Sequence, residues 1–457
     1  MSRLKNKQGP GARVWFNLCL FGMIGQIAWN LENMYFNTFL YNTVYEGGTV
    51  TAGLASMKAI KLMVALSAVT AVVTTFIMGN LSDKVHKRKI FMSVGYILWG
   101  LTVVVFGFIT KENIAALFGI DISDTARVVT ATAVFVVVMD CVMTFMGSTS
   151  NDSAFNAWVT DVGDSTNRAT FESILSILPV AATVVVVVFA GFIEQIGYPV
   201  FFFIIGGIVV LSGIIGLFTV TDSLDGVKKN ENYFKELFYG FRPSVIRENS
   251  RLYLSLAAVC VYSVAVQVWF PYLLIYLEHS MGIKLEDLTG YITKPVLIAA
   301  PFAVAAVVAV LILGGRLIDK IGKEKLLVPA LILFFIGQFG AYFAHSILPF
   351  AICALPLLAG YAFIGIMLNA SVRDYTPEDK VGLFQGIRMI FAVLIPMVLG
   401  PWIGDFVCSV SASGQYIDET GASTYEPCSA MFLAGAVVIL FTFIPVVILK
   451  RKNKKTE

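Results

Sequence analysis

Long apolar runs separated by short polar stretches set the pattern of this chain. The runs do not alternate residue by residue, as barrel strands do. They stay apolar over ~20 residues, the length a helix needs to cross a bilayer. Backbone groups in hydrocarbon must pair within their own segment, and that again selects helices. The pattern predicts twelve spans, over 14–42, 53–79, 90–110, 128–158, 169–195, 198–220, 252–277, 289–315, 326–346, 349–371, 383–406 and 429–449. The fourth is long and is expected to bend near Gly147, Ser148, Thr149 and Ser150. Three connecting stretches are longer than the rest: 111–127, 221–251 and 407–428. The charged one from Asp222 to Arg251 divides the chain into an N-terminal half, 1–220, and a C-terminal half, 252–457. The expected fold is an all-α polytopic membrane protein with two six-helix halves.

Composition agrees with this reading. Apolar residues make up 57% of the chain and charged residues 14%, against about 45–50% and about 25% in soluble domains. The net charge of +3 points to no partner, but the distribution of charge is informative. The N-terminus, the stretches 79–89, 159–168, 221–251, 314–325 and 372–388, and the tail from Lys450 hold 27 of the 33 Lys and Arg residues. The others are Lys58, Lys61, Lys111, Arg127, Lys284 and Lys294. By the positive-inside rule both termini are expected in the cytoplasm of a cell-membrane protein. The basic start leads into a segment too long for a cleavable signal.

The chain also repeats itself. Gly79-Asn80-Leu81-Ser82-Asp83-Lys84 lies between the second and third spans, and Gly315-Arg316-Leu317-Ile318-Asp319-Lys320 between the eighth and ninth. Both read G-x-L-x-D-K with basic residues following, Arg88 among them. Repeated halves are a common transporter design, with the solute site near the bilayer midplane.

This loop resembles the signature of the major facilitator superfamily, closely at 79–89 and partially at 315–325. The resemblance implies secondary transport by alternating access. It also implies that Gly79, Asp83, Lys84, Arg88, Asp319 and Lys320 act as a conformational latch; a solvated basic loop that only sets topology is the plainer alternative. A narrower resemblance rests on Phe21-Gly22-Met23-Ile24-Gly25, on Asn151 to Thr160, on Arg373 to Pro377 and on Gly382 to Gly386. These look like the glycoside–pentoside–hexuronide:cation symporters, the group of melibiose permease, and the sucrose:proton carriers. In that group the fourth span carries a sugar-contacting Asp with an aromatic residue three positions on, and Asp152 and Phe155 match. The sodium-binding acids of the group's second span do not carry over, since Ala71 and Thr75 stand there. That departure favours a proton as the coupling cation.

The residues themselves suggest where chemistry would sit. An ionisable group within a span costs about 2.5–3.5 kcal/mol on insertion scales, so it is a functional candidate by default. Glu32 lies mid-way along the first span, beside Trp29, Asn30 and Asn33, and a buried carboxyl favours its neutral form. It is the first candidate for proton coupling; pairing with Lys58 or Lys61, or a hydrogen-bonded structural role within the bundle, is the alternative. Asp140 is a further candidate. Asp152, with Asn151, Asn156 and Trp158, offers carboxylate, amide and aromatic groups that suit a sugar's hydroxyl edge and C–H face. A helix-end polar cluster is the alternative there. Tyr262 and Gln267, with Trp269 and Tyr272, form a second aromatic–amide set, although Trp and Tyr also anchor spans at interfaces. Lys58, Lys61 and Lys294 are expected to snorkel, with pairing to an acid inside the membrane as the alternative. Pro271, Pro295 and Pro396 are expected to kink their spans.

Six cysteines occur without metal-ligand spacing. Cys408 and Cys428 flank a stretch on the expected outer side, where a disulfide can persist. The chain lacks the phosphate-binding loop, H-E-x-x-H and G-x-S-x-G patterns, and its histidines, His86, His279 and His345, lie at span ends or in loops. Neither an enzyme, a metal nor a cofactor is expected. The function expected is a sugar or glycoside:proton symporter. A same-fold carrier of another solute, such as an amphipathic lipid, or a non-transporting receptor, is the alternative.

Overall fold

The computed structural model describes residues 11–45, 50–85, 87–163, 168–190, 193–222, 240–282, 320–377, 381–417 and 423–454. Among these, ten helices are long and apolar enough to cross a membrane. They are Ala12–Val44, Ser56–Gly79, Arg88–Phe106, Thr125–Val162, Gln195–Thr219, Ser250–Ser280, Lys323–Phe343, Leu348–Tyr375, Gly386–Val410 and Ala430–Asn453. The expected fifth span is the helix Arg168–Ala190. The expected eighth, 289–315, lies outside the described residues, as does Pro295. The spans turn apolar side chains outward where a water-soluble protein would show polar ones. Leu62, Leu66, Val69, Val73 and Ile77 form one such stripe along the second span, at the spacing of one helix face.

Two of the longer stretches have structure of their own. Within 111–127, Lys111–Phe118 is a short helix. The Thr110 hydroxyl caps it by accepting from the Asn113 amide at 3.1 Å. Within 407–428, Gln415–Ile417 and Ser423–Tyr425 pair as an antiparallel hairpin, with Gln415 opposite Tyr425. The fifth and sixth spans are separated at Gly197, whose φ of 75° is a left-handed value that a side chain would strain.

The first, fourth and seventh spans are not regular α-helices. The first passes through π-helical turns at Leu31–Phe36 and Leu40–Val44, the fourth at Ser148–Phe155 and the seventh at Tyr276–Ser280. The polar side chains give a local reason. Asn30, Asn37 and Thr38 donate to the carbonyls of Gln26, Asn33 and Met34 at 2.8–2.9 Å. Thr149 and Ser150 donate to Phe145 and Met146 at 2.7–2.8 Å. Side chains that bond the carbonyl four residues back compete with the α-helical ladder and bend it. The bend expected near Gly147 is thus a widened turn that starts at Ser148. Pro271 breaks the seventh span at a 3-10 turn, Phe270–Tyr272. Pro396 follows a further π turn, Ile390–Leu394.

The chain divides into two compact units. One is Met1–Leu31, Val73–Phe108 and Val142–Glu231; the other is Glu32–Val72, Ile109–Cys141 and Asn232–Glu457. In the first unit the first span packs on the fifth and sixth, and the third on the sixth and on the π turn of the fourth. The third and sixth spans cross where Gly100 and Gly206 leave room for backbone contact. In the second unit the seventh span packs against the tenth, eleventh and twelfth, and the ninth against the tenth and twelfth.

Candidate functional site

The widened turn of the fourth span carries Asn151 and Asp152, and in the first unit it meets the first and third spans. Asn151 donates to the Tyr96 hydroxyl at 2.6 Å and accepts from the Trp29 indole at 3.3 Å. Tyr96 in turn donates to the Phe21 carbonyl at 2.7 Å. The close approach of Asn151 and Tyr96 is possible because Gly25 has no side chain. Trp29 and Trp99 lie 5.0 Å apart, ring to ring. Asp152 is half-buried and accepts from Ser148 at 2.9 Å. Asn30 accepts from Thr183 of the fifth span at 2.8 Å. Amide, carboxylate, indole and phenol groups are thus gathered on the first, third, fourth and fifth spans.

The remaining members of the expected solute set are placed differently. Asn156 is exposed, and its amide donates to the Asp152 carbonyl at 3.1 Å. Trp158 is fully buried, stacks on Phe155 at 6.2 Å, and donates its indole N–H to the Thr221 carbonyl at 3.2 Å. In the second unit Tyr262 donates to the Tyr361 carbonyl at 2.8 Å. Gln267 is half-buried, with its backbone close to Gly400. Asn33 is half-buried, and its carbonyl accepts from Asn37.

The second unit holds the carboxyl candidates. Glu32, in the first π turn, is buried and accepts a short hydrogen bond from Ser67 of the second span. Asp140, of the fourth span, is 1% exposed and lies within electrostatic reach of Glu32. Two acids from distant parts of the sequence therefore share one buried environment, with a hydroxyl donor on one of them. Lys61 does not pair with Glu32. It forms an ion pair with Asp405 of the eleventh span, where its ammonium lies 4.6 Å from the centre of the Trp402 ring. Tyr425 donates to the other Asp405 oxygen at 2.7 Å. Lys61 is thus paired with an acid, the alternative to snorkelling; Lys58 is exposed. Nearby in the chain, Asn42 donates to both oxygens of Glu278 at 2.8 and 3.0 Å and contacts His279 Nε2 at 2.9 Å.

At the opposite ends of the spans, the repeated loop is wired to the fourth and tenth. Arg88 is buried; its Nε donates to Asp161 at 3.0 Å and its Nη1 to Ser82 at 2.6 Å. Ser82 donates to the Gly79 carbonyl at 3.0 Å. The side chains of Asp83 and Lys84 lie outside the described ones, and so does Asp319; Lys320 is exposed. In the second repeat Lys323, at the start of the ninth span, pairs with Asp374 at the end of the tenth.

A sequence profile described as Major Facilitator Superfamily matches residues 18–401 and, again, 296–457. The chain belongs to the Major Facilitator Superfamily. As a facilitator it is a multi-pass membrane transporter of small solutes and not an enzyme. Solved structures share the fold. A mutant of the nucleoside transporter NupG is 10% identical, with a TM-score of 0.65, covering 95% of this chain and 99% of that one. A bacterial homologue of the human lysosomal transporter Spinster, inward-facing and occupied, is 15% identical, with a TM-score of 0.62 and 98% coverage of both chains. The xylose transporter XylE from E. coli, partially occluded and inward-open, is 12% identical, with a TM-score of 0.61, covering 93% of this chain and 97% of that one. No curated protein sequence is a significant match. The fold class is therefore all-α, with twelve membrane helices in two six-helix halves, as expected.

Two further features of this facilitator fold have a signal in the sequence. Asp405 is an acid within an apolar span, the same signal that singled out Glu32, but its place near the expected end at 406 hid it. The other feature is a second internal repeat. Asn156-Ala157-Trp158-Val159-Thr160-Asp161 closes the fourth span, and Asn369-Ala370-Ser371-Val372-Arg373-Asp374 closes the tenth. Each Asn donates four residues back, Asn369 to Gly365 at 2.9 Å, and each Asp pairs with a cation at the start of the preceding helix. Buried Phe171 and Phe384 follow at equal distance in the two copies. The shared N-A-x-V-x-D string was the signal. Among the described residues no group of three or more metal-binding side chains occurs.

Proposed function

We propose that this facilitator is a proton-coupled symporter for a sugar or glycoside in a cell membrane, with both termini cytoplasmic. The observation that carries the proton is the Glu32–Asp140 pair. Like charges in one water-poor environment repel, so a proton taken up by either acid relieves the other. Ser67 orients the Glu32 carboxyl, and a carboxyl that gains and loses a proton can gate the spans that bear it. Glu32 and Asp140 are the proton-coupling residues in this reading.

Asp152, Asn151 and Asn30 are the groups offered to substrate hydroxyls, with Asn33, Asn156, Tyr262 and Gln267 as further polar groups. Trp29 offers a ring for the C–H face, in preference to Trp158. The resemblance of Asp152 and Phe155 to the melibiose permease pattern supports this assignment. The nucleoside and xylose carriers among its structural neighbours are consistent with a hydroxyl-rich solute in this fold. Alternating access would require Arg88–Asp161, with the Gly79, Asp83 and Lys84 loop, to open at one end. Its repeat around Asp319, Lys320 and Lys323 would open with it. Lys61–Asp405 and Asn42–Glu278 would open at the other. The direct test is binding to purified protein, across a panel of mono- and disaccharides at two pH values. Saturable binding that strengthens at the lower pH is expected. Binding of amphipathic lipids in place of every sugar would overturn the substrate reading.

A further inference from the structure

Cys408 ends the eleventh span and Cys428 precedes the twelfth, 20 positions apart. Both are buried, at 0% and 2% exposure. Their side chains are in hydrogen-bonding contact, and the Cys428 backbone N–H points at the Cys408 sulfur at 3.4 Å. Between them runs the Gln415–Ile417 and Ser423–Tyr425 hairpin, closed by Gly414. The Glu426 amide donates to the Gly414 carbonyl at 3.0 Å, and Gly414 has no side chain to push the Cys428 sulfur away. The hairpin therefore already brings the two cysteines together, so a covalent bond between them demands little further ordering of the chain.

We infer that Cys408 and Cys428 are a modification site, oxidised to a disulfide in the mature protein. The chemistry is thiol–disulfide exchange with a disulfide-bearing oxidant. The Cys428 thiolate attacks a sulfur of the oxidant and expels one thiolate. Cys408, losing its proton, then attacks Cys428 and expels the other. Two thiols become one disulfide, and the two electrons and two protons leave with the reduced oxidant. Cys428 is suited to the first step. The Cys408 side chain, then Ser413, the Ala430 backbone and Ser411, hold its thiol down to about 6 against the opposing effect of burial.

The bond would do more than close a loop. Asp405 lies three residues before Cys408, on the same helix, and Tyr425 three before Cys428. The disulfide would hold Tyr425 against Asp405, and with it the acceptor that Lys61 requires. Burial would shield the bond from exchange once the protein has folded. Cys19, Cys141, Cys260 and Cys353 have no part in it.

The test is peptide mapping of the full-length protein, extracted from membranes without reductant after N-ethylmaleimide has blocked its thiols. The expected result is a linked pair of peptides containing Cys408 and Cys428, lighter by two hydrogens than the two thiol peptides and separated by reduction. Recovery of both cysteines as N-ethylmaleimide adducts, or of either linked elsewhere, overturns the inference. A second measurement uses the Cys408→Ala/Cys428→Ala protein. Dithiothreitol after partial denaturation should lower the thermal midpoint of the natural protein and leave that of the variant unmoved; equal responses would contradict a bond at this site.

Discussion

Lys61 of the second span and Asp405 of the eleventh are joined as an ion pair, one carboxylate oxygen facing the ammonium and the other accepting from Tyr425. The two residues come from opposite halves of the chain. By chain order they lie toward the side away from the N-terminus, as do Asn42 and Glu278. In the proposed alternating-access cycle, this pair would close one end of the transport path and break when that end opens.

Removing either partner should therefore favour the state in which that end is open. Breaking a fully buried pair costs about 3–5 kcal/mol. These side chains are 16% and 7% exposed, so a smaller shift of about 1–2 kcal/mol is expected, roughly 5–30-fold in the conformational equilibrium. Distances between spin labels on the second and eleventh spans would report it for Lys61→Ala and Asp405→Asn. The exchange Lys61→Asp with Asp405→Lys should recover part of the effect. Distance distributions unchanged in both single variants would remove the pair from the gating account.

The two copies of the opposite latch should differ in strength. Arg88 is buried and uses two different nitrogens on Asp161 and Ser82, a geometry that a lysine cannot reproduce. Lys323 and Asp374 are 25% and 59% exposed, and an exposed pair contributes about 0–1 kcal/mol. Arg88→Lys is thus expected to slow transport by roughly tenfold or more at unchanged substrate affinity, given about 1.5–3 kcal/mol for a charged hydrogen bond. Lys323→Ala should stay within about fivefold on the same scale. Initial-rate and binding measurements on the same preparations separate the two effects. Equal losses would mean that exposure does not govern the latch.

Much of this architecture can be read from the sequence, because a membrane imposes one physical rule on every span. Apolar length places the helices, so eleven of the twelve expected spans meet a helix in the structure, and the remaining one lies outside the described residues. The cost of burying charge picks out Glu32, Asp140 and Asp152. Partners are harder to read. An acid partner for Lys61 is a reading the sequence allows, but nothing in the apolar run around Lys61 says that Asp405, far along the chain, will be that acid. Trp158 is similar. An indole beside Asp152 in sequence looks available to a sugar, yet the helix turns it onto Phe155 and Thr221. The π turns of the first and fourth spans also escape periodicity, since Asn, Ser and Thr side chains there compete for backbone carbonyls.

The solute site can be tested at Asp152. A hydrogen bond to a charged group contributes about 1.5–3 kcal/mol, so Asp152→Ala should weaken sugar binding by roughly tenfold to a hundredfold. Asp152→Asn keeps the shape and one acceptor and should fall between. Asn156→Ala should matter less, because that amide is exposed and occupied by the Asp152 carbonyl. Isothermal titration against the best sugar of the panel would rank the three. Wild-type affinity in Asp152→Ala would move the site elsewhere.

In the proposed function, movement of solute is tied to a proton on the Glu32–Asp140 pair. That coupling is tested most directly by uptake of the best-binding sugar into proteoliposomes under an imposed pH gradient, with Glu32→Gln alongside the natural protein. The natural protein should concentrate the sugar when the outside is acidic. The Glu32→Gln protein should accumulate none, yet still exchange internal for external sugar at zero gradient, because exchange needs no net proton movement. Accumulation by Glu32→Gln equal to that of the natural protein, or uptake driven by a sodium gradient and indifferent to pH, would contradict it.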